Sequence, residues 1–553
     1  SAASDVYKRQ ISIQSRNNRE EVFTRLYRYM LRPDIYYQAY KNLYANAGAG
    51  TNGIDDDTAD GFGAEKVARI IEQLRKGSYT PKPVRRTYIP KKNGRLRPLG
   101  IPTFTDKLVQ EVLRMILEAV YEPIFLPTSH GFRPKRSCHT ALSAMSKSYR
   151  GTRWFVEGDI KAFFDNIDHQ ILVALISKKV KDARIVQLVN KMLKAGYMED
   201  WQYHGTFSGT PQGGIISPLL ANIYLHELDV FMQDMSKHFA KPREQEFTPA
   251  YRSALSKVNA IKWRLKNAKD SVEAKLLIKE LHAARAIMVK IPCKSQTDKK
   301  IVYTRYADDF LIGVNGSKEE CVKIKAAIKN FLSEKLRLEL SEEKTLITHT
   351  AQHARFLGYD VSVRRTGKLK KDKTGRVMRT LNSSVELNIP FADKIERFVL
   401  DKQIAAVKQG VLKPICRRKL IRLSDLEILS VYNSELRGIC NYYGLASNYT
   451  RLSYFAYLME YSCLKTLASK HQTTTSKIRK RFKDGRGGWC IVYTTRKGEQ
   501  RTYFAKYQDC KSVAYAADRI PELSLRYWHT SNSLESRLKA VSYTHLRAHE
   551  TPE

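Results

Sequence analysis

Residues 301–314 read IVYTRYADDFLIGV, with two adjacent aspartates, Asp308 and Asp309, dividing two apolar runs. Ile301, Val302 and Tyr303 precede them; Phe310, Leu311 and Ile312 follow. The pattern predicts a hairpin with carboxylates at its tip. A polar pair between strands is ordinarily just a turn, because Asp tolerates turn conformations and bonds its own backbone. Like charges side by side repel, however, so a site that needs both ionised calls for a cation between them. A third carboxylate and a polyanion-binding surface elsewhere in the chain would favour the second reading.

The third carboxylate lies upstream. Residues 153–169 read RWFVEGDIKAFFDNIDH. Trp154, Phe155 and Val156 predict a strand, Asp159 ends it, and a helix-compatible stretch follows. Alone, Asp159 would serve as a helix cap. Taken with the hairpin it supplies the missing ligand. Two Mg2+ ions about 4 Å apart need carboxylates converging from separate strands. Such a pair activates a primer 3′-hydroxyl and holds a triphosphate with its leaving oxygen.

Charge points to the same partner. The chain carries 96 Lys and Arg against 56 Asp and Glu, a formal charge of +40, which favours nucleic acid. Its 31 Tyr and 20 Phe suit stacking on unpaired bases, although most of these rings belong in the core. The 553 residues predict three or more domains. None of the eight cysteines forms a C-x-x-C pair, so neither a zinc knuckle nor a disulfide framework is expected. Reduced thiols in an intracellular, cytoplasmic protein fit best. No run of about 18 apolar residues predicts a membrane span, and no secretory signal is visible.

Two further stretches suit a nucleotide. In YIPKKNGRLRPLGIP, residues 88–102, Asn93-Gly94 signals a hairpin turn. A two-residue loop would put Lys91 and Arg97 on opposite faces. A three-residue loop, with Gly94 left-handed, would put both on one face, able to grip one triphosphate. In PQGG, residues 211–214, Gly213 and Gly214 let the backbone approach a nucleotide or template, where Gln212 can hydrogen-bond. Ser217-Pro218 then predicts a helix N-cap followed by proline at the first helical position. Leu220, Tyr224, Leu228 and Phe231 follow at helical spacing and read as core.

YADDF (306–310) and DIKAFF (159–164) resemble the two palm motifs of reverse transcriptases, in the same order along the chain. GTPQGGIISPLLANIYLHELD (209–229) is similar to the motif between them, in the version of group II intron-encoded proteins. SHGFRPKRS (129–137) resembles that family's finger motif. LSEEKTLITH (340–349) resembles the next palm motif, and ARFLGYDV (354–361) the hairpin that holds the primer end. Residues 422–471, helical, basic and rich in tyrosine, look like the thumb and maturase domain of the same proteins. The likeness runs from about residue 52 to about residue 475.

The resemblance implies a group II intron-encoded reverse transcriptase and maturase. Its fold would be α+β, a right-hand polymerase with fingers, a palm on a small antiparallel sheet and a helical thumb, plus a helical maturase domain. Asp159, Asp308 and Asp309 would ligate Mg2+. Lys91, Arg97, Gln212 and Lys344 would bind the nucleotide, the family favouring the three-residue hairpin loop. Phe164 would gate against a ribose 2′-hydroxyl, with Phe163 as the core ring. Partners would be intron RNA, RNA template, DNA primer and deoxynucleoside triphosphates, with a homodimer allowed. The setting would be a nucleoid-associated bacterial ribonucleoprotein. Changes around Tyr442-Tyr443 would impair splicing. The alternatives are another prokaryotic reverse transcriptase, CRISPR-associated or diversity-generating, and a non-catalytic RNA-binding splicing factor.

The expected layout follows from these motifs. Residues 11–84 form an N-terminal helical extension and the start of the fingers. Residues 85–370 form fingers and palm, interrupted by a lysine-rich, helix-prone insert at 236–300 that loops outward. Residues 371–475 form a helical thumb and maturase domain. Residues 476–540 form a basic nucleic-acid-contacting region, starting from a flexible basic arm with Gly485, Gly487 and Gly488, that leads toward a missing HNH nuclease domain. Residues 1–10 and 541–553 resemble sequencing-adapter read-through and are expected to stand outside the fold.

Overall fold

A computed structural model describes residues 2–510. It leaves out 45–49, 91–93, 95, 200–201, 207, 210–212, 243–245, 269, 292, 294–297, 367–368, 372–376, 380–381, 485–487 and 496–497. Strands β1 (Val84–Pro90) and β2 (Leu96–Ile101) form an antiparallel hairpin. Next comes β3 (Trp154–Asp159), followed by the short β4 (Tyr197–Glu199) and β5 (Gln202–His204). β6 (Lys300–Tyr306) and β7 (Asp309–Asn315) form the hairpin expected around the two aspartates. β8 (Ile347–His349) follows, then β9 (Ala354–Phe356) and β10 (Tyr359–Val363).

Two sheets matter most. The finger sheet has the order β2-β1-β4-β5, and the palm sheet has the order β6-β7-β3-β8. β7 is the second strand of the palm sheet, and both of its faces are covered. Phe310, Ile312 and Val314 enter one core, while Leu311 enters another with Phe155 from β3. A strand covered on both sides needs no polar face, which is why residues 310–314 read as one apolar run.

The first core packs the palm sheet against long helices, among them Phe104–Tyr121 and Ser217–Phe239. The second lies under the helices Asp425–Tyr442 and Leu452–Lys470. The first of these begins with a capping box in which Ser424 and Glu427 satisfy each other's backbone N–H groups.

The fold differs from expectation in four places. Residues 2–10, expected outside it, begin the helix Ala2–Asn17. Tyr7, Ile11 and Ser15 recur every fourth residue and are buried, and the Tyr7 ring stacks on Tyr29 at 4.6 Å. The helix expected to be capped by Ser217 starts one residue earlier. Its N-cap is Ile216, with no side-chain cap, and Pro218 sits in the first turn. The thumb region is not purely helical, because Ala405–Lys408 and Val411–Pro414 pair as a hairpin. Gln409 and Gly410 both take positive φ at its tip, the geometry of a two-residue turn. Among the described residues of the stretch expected to form a flexible basic arm, Thr475–Arg481 is a short helix, and the paired strands Cys490–Thr495 and Gly498–Tyr503 follow.

The insert forms a helical hairpin, Pro249–Asn267 and Ser271–Lys290, with its own small core of Val258, Ile261, Leu277 and Leu281. All eight cysteines lie among the described residues and none is disulfide-bonded. Among the described residues, no helix is long and apolar enough to cross a membrane.

Candidate active site

The tip of the β6–β7 hairpin is a two-residue turn. Tyr306 pairs with Asp309, leaving Ala307 and Asp308 between them. Asp309 also faces Asp159 directly, as cross-strand partners of β7 and β3. Adjoining strands therefore bring the three predicted aspartates to one end of one sheet. Such a crowd of carboxylates resists ionisation. Asp309 is pushed up to about 7, first by burial and then by the charges of Asp308 and Asp159, with Asp159 within hydrogen-bonding reach. Burial also raises Asp308, and the Asp159 charge adds to it, while Arg97 and Lys344 pull it back.

Lys344 donates to Asp159 Oδ2 across 2.6 Å. Beyond this pair, the donor set is all carboxylate oxygen, which suits a hard divalent cation. Among the described residues, no three His, Cys, Asp or Glu side chains already converge as a finished cation cage. Asp159 stands between Lys344, which donates to it, and the Asp309 carboxyl within hydrogen-bonding reach, so the chain's own cation already sits beside the carboxylates. The residues fit a divalent metal on these grounds.

Arg97 lies opposite Ile89, and Leu96 opposite Pro90. That register is the one a three-residue loop requires, and Gly94 has the left-handed φ of 78° that such a loop needs. Arg97 stands close enough to Asp308 to lower its pKa. Lys91 and Gln212 lie outside the described residues. Gly213, φ 109°, makes its close approach to the chain itself, since a Cβ there would meet the Gly100 carbonyl of β2 at 2.7 Å. That contact seats Gly213 on the finger sheet.

Phe163 is buried and packs against Tyr224, whereas Phe164 is only partly covered. The Phe164 ring stands edge-on to Phe163 and to Phe132, at 5.3 Å and 6.5 Å. Gly209, φ 86°, abuts the carbonyls of Phe164 and Asp165, and its own carbonyl meets His169 Nε2 at 2.7 Å. These contacts fix the backbone that carries Phe164. On the finger side of this loop a cavity of about 300 Å³ opens among Arg86, Gly100, Asp165, Tyr197 and Ser208. None of the three aspartates lines it.

Phe132 was not singled out from sequence. It is 53% exposed, has φ 57° and faces Phe164. An exposed aromatic in a strained backbone position marks a site better than a buried one. Its signal lay within SHGFRPKRS, where the motif drew attention and the ring did not.

Tyr442 and Tyr443 are turned toward the turn between β9 and β10. The Tyr442 hydroxyl donates to the Leu357 carbonyl at 2.7 Å, and the Tyr443 hydroxyl to Gly358 at 3.3 Å. The Tyr442 carbonyl in turn accepts from the Tyr359 hydroxyl and meets His139 Nε2 at 2.7 Å. These tyrosines tie the Asp425–Tyr442 helix to the hairpin expected to hold a primer end.

Known proteins are similar to this chain in sequence. The model for "Reverse transcriptase (RNA-dependent DNA polymerase)" matches residues 89–248 and 277–361, and that for "Type II intron maturase" matches residues 382–525. The chain is 58% identical over 533 residues to group II intron-encoded protein LtrA of Lactococcus lactis subsp. cremoris, covering 96% of this chain and 88% of that one. It is 34% identical over 493 residues to the putative COX1/OXI3 intron 1 protein of Saccharomyces cerevisiae, covering 87% and 57%. It is 25% identical over 436 residues to nuclear intron maturase 1, mitochondrial, of Arabidopsis thaliana, covering 67% and 56%. A polymerase-type palm with its carboxylates on adjoining strands, continued by a maturase region, places this chain in the group II intron-encoded reverse transcriptase and maturase family.

Proposed function

We propose that the protein extends a DNA primer on an RNA template with Mg2+ held by Asp159, Asp308 and Asp309, and that it also binds its intron RNA to assist splicing. The observation that carries the reading is Asp159 opposite Asp309, with Asp308 in the adjoining turn. When bound by such carboxylates, divalent cations supply positive charge that favours an ionised 3′-hydroxyl and offsets charge on the triphosphate.

The chain's own share is positioning and electrostatics, with no side-chain nucleophile. The palm strands hold the carboxylates at fixed spacing. Arg97, with Lys91, grips the triphosphate from the finger hairpin. Lys344 leaves Asp159 for the triphosphate as the nucleotide arrives. Gln212 hydrogen-bonds the nucleotide or template. Phe164 fills the space a 2′-hydroxyl would need, which selects deoxynucleotides. The +40 charge favours binding to RNA phosphates, and the region after residue 371 holds intron RNA in its splicing-competent shape.

Asp308→Asn tests the reading, because it keeps the shape of the turn and removes a ligand. RNA-templated primer extension should fall at least about 100-fold, while RNA binding and splicing of the cognate intron persist. Extension at the wild-type rate would overturn the assignment.

A further inference from the structure

Arg305 lies in β6, three residues before Asp308, and is fully buried. A guanidinium has five N–H donors, and here each meets an acceptor. Nε and Nη2 grip Asp229 at 2.8 and 2.6 Å. Nη1 donates to Asn222 Oδ1 at 3.1 Å and to the Ala307 carbonyl at 2.9 Å. Nη2 also donates to Ser129 Oγ at 2.9 Å. Asp229 and Asn222 both stand on the helix Ser217–Phe239. Asn222 continues the network by donating to the Gly131 carbonyl at 2.8 Å.

This network surrounds a strained turn. Ala307 is left-handed, φ 57°, a conformation that non-glycine residues avoid. Gly131 lies so close that a Cβ on it would come within 2.3 Å of the Ala307 nitrogen. The finger segment is also bonded along the strand, since Arg305 N–H donates to Thr128 O and His130 N–H to Arg305 O, each at 2.9 Å. One guanidinium thus touches the turn that carries Asp308, the helix behind it and the segment leading to Phe132. A buried ion pair is weak evidence for stability, because well-packed apolar residues often serve as well. What apolar residues cannot do is hold the Ala307 carbonyl in one orientation.

We propose that Arg305 is a positioning residue: through the Ala307 carbonyl it fixes the turn of Asp308 and Asp309 for cation binding and locks it to the finger segment at Ser129. The proposal rests on the reading of these aspartates as cation ligands. Arg305→Lys keeps the charge and its partner Asp229 but cannot reach all the acceptors at once.

The test uses the full chain and Mn2+ as the probe. Mn2+ affinity is measured by electron paramagnetic resonance of the free ion, beside thermal unfolding and RNA affinity. Arg305→Lys should weaken Mn2+ binding about tenfold and raise the half-saturating Mg2+ of primer extension in proportion, with RNA affinity unchanged. A lower melting temperature with unchanged Mn2+ affinity would leave Arg305 a plain structural pair and overturn the proposal. If the lysine variant does not fold, Ser129→Ala removes one acceptor at the finger segment. It should weaken Mn2+ binding in the same direction, and unchanged binding again overturns the proposal. Asp308→Asn in parallel separates the two readings. Undiminished Mn2+ binding there overturns the ligand assignment itself, whereas loss there with wild-type binding in Arg305→Lys overturns only the role of Arg305.

Discussion

Lys344 occupies Asp159, donating to its Oδ2 at 2.6 Å, so one of the three carboxylates is paired with the chain's own cation. A divalent ion that uses Asp159 must displace this lysine. The pair is partly exposed, with the Lys344 side chain 68% accessible, so the displacement is cheap. The arrangement balances part of the carboxylate charge.

Lys344→Ala should therefore move two quantities in opposite directions. Without the competing ammonium, Mn2+ binding to the protein alone should tighten a few-fold. Primer extension should slow about tenfold or more, because the triphosphate loses a cation. Calorimetric titration of Mn2+ and steady-state extension check both. Equal losses in both would mean that Lys344 merely holds the site together.

The raised pKa of Asp309 makes a stability prediction with a definite sign. In the folded, metal-free protein Asp309 titrates near 7, against 3.8 ordinarily. Between these values the folded state binds more protons than the unfolded state, so stability contributed here falls as pH rises through that window. Asp309→Asn removes the effect. In EDTA the variant should melt higher than wild type at pH 8, by on the order of a few degrees. The gap should shrink toward pH 5 and narrow when Mg2+ is added at pH 8. A gap independent of pH would contradict the carboxylate crowding.

Phe164→Val opens the space beside Phe132 and Phe163. The kcat/KM ratio for deoxy- over ribonucleotides should fall at least about tenfold, with the loss confined to discrimination. An unchanged ratio would assign Phe164 to packing against its two neighbouring rings.

The palm was legible because its chemistry is local. Asp308 and Asp309 interrupt an apolar run that two buried faces require, and Asp159 ends a strand of the same kind. The three-residue register at Ile89 and Arg97 was one of two that the turn signal allowed, and only paired strands distinguish them. What stayed hidden is long-range or looked foreign. A lone Arg305 in an apolar strand gives no sign of Asp229, 76 residues earlier, as its partner. The period of Tyr7, Ile11 and Ser15 was visible, yet the adapter-like wording around it argued against folding. Gln409-Gly410 was a turn signal inside a region read as helical. The bonds from Tyr442 and Tyr443 could not be foreseen, because tyrosines in a basic helical segment read equally well as an RNA-stacking surface.

Those bonds yield the last prediction. The Tyr442 hydroxyl holds the Leu357 carbonyl, at a turn where Leu357 and Gly358 both take positive φ. Gly358 is pressed against the same side chain, since a Cβ there would lie 3.1 Å from the Tyr442 hydroxyl oxygen. The hairpin expected to hold the primer end is thus fastened to the helix Asp425–Tyr442 within the maturase-like region. Tyr442→Phe keeps the ring and removes one hydrogen bond, worth about 1 kcal/mol. The protein should fold and bind intron RNA as before, but the turn should loosen. Extension products should shorten, and the KM for primer–template should rise a few-fold while the KM for nucleotide stays put. If intron RNA affinity falls instead, with primer extension and melting temperature unchanged, the hydroxyl serves RNA rather than the turn, and the fastening role is wrong.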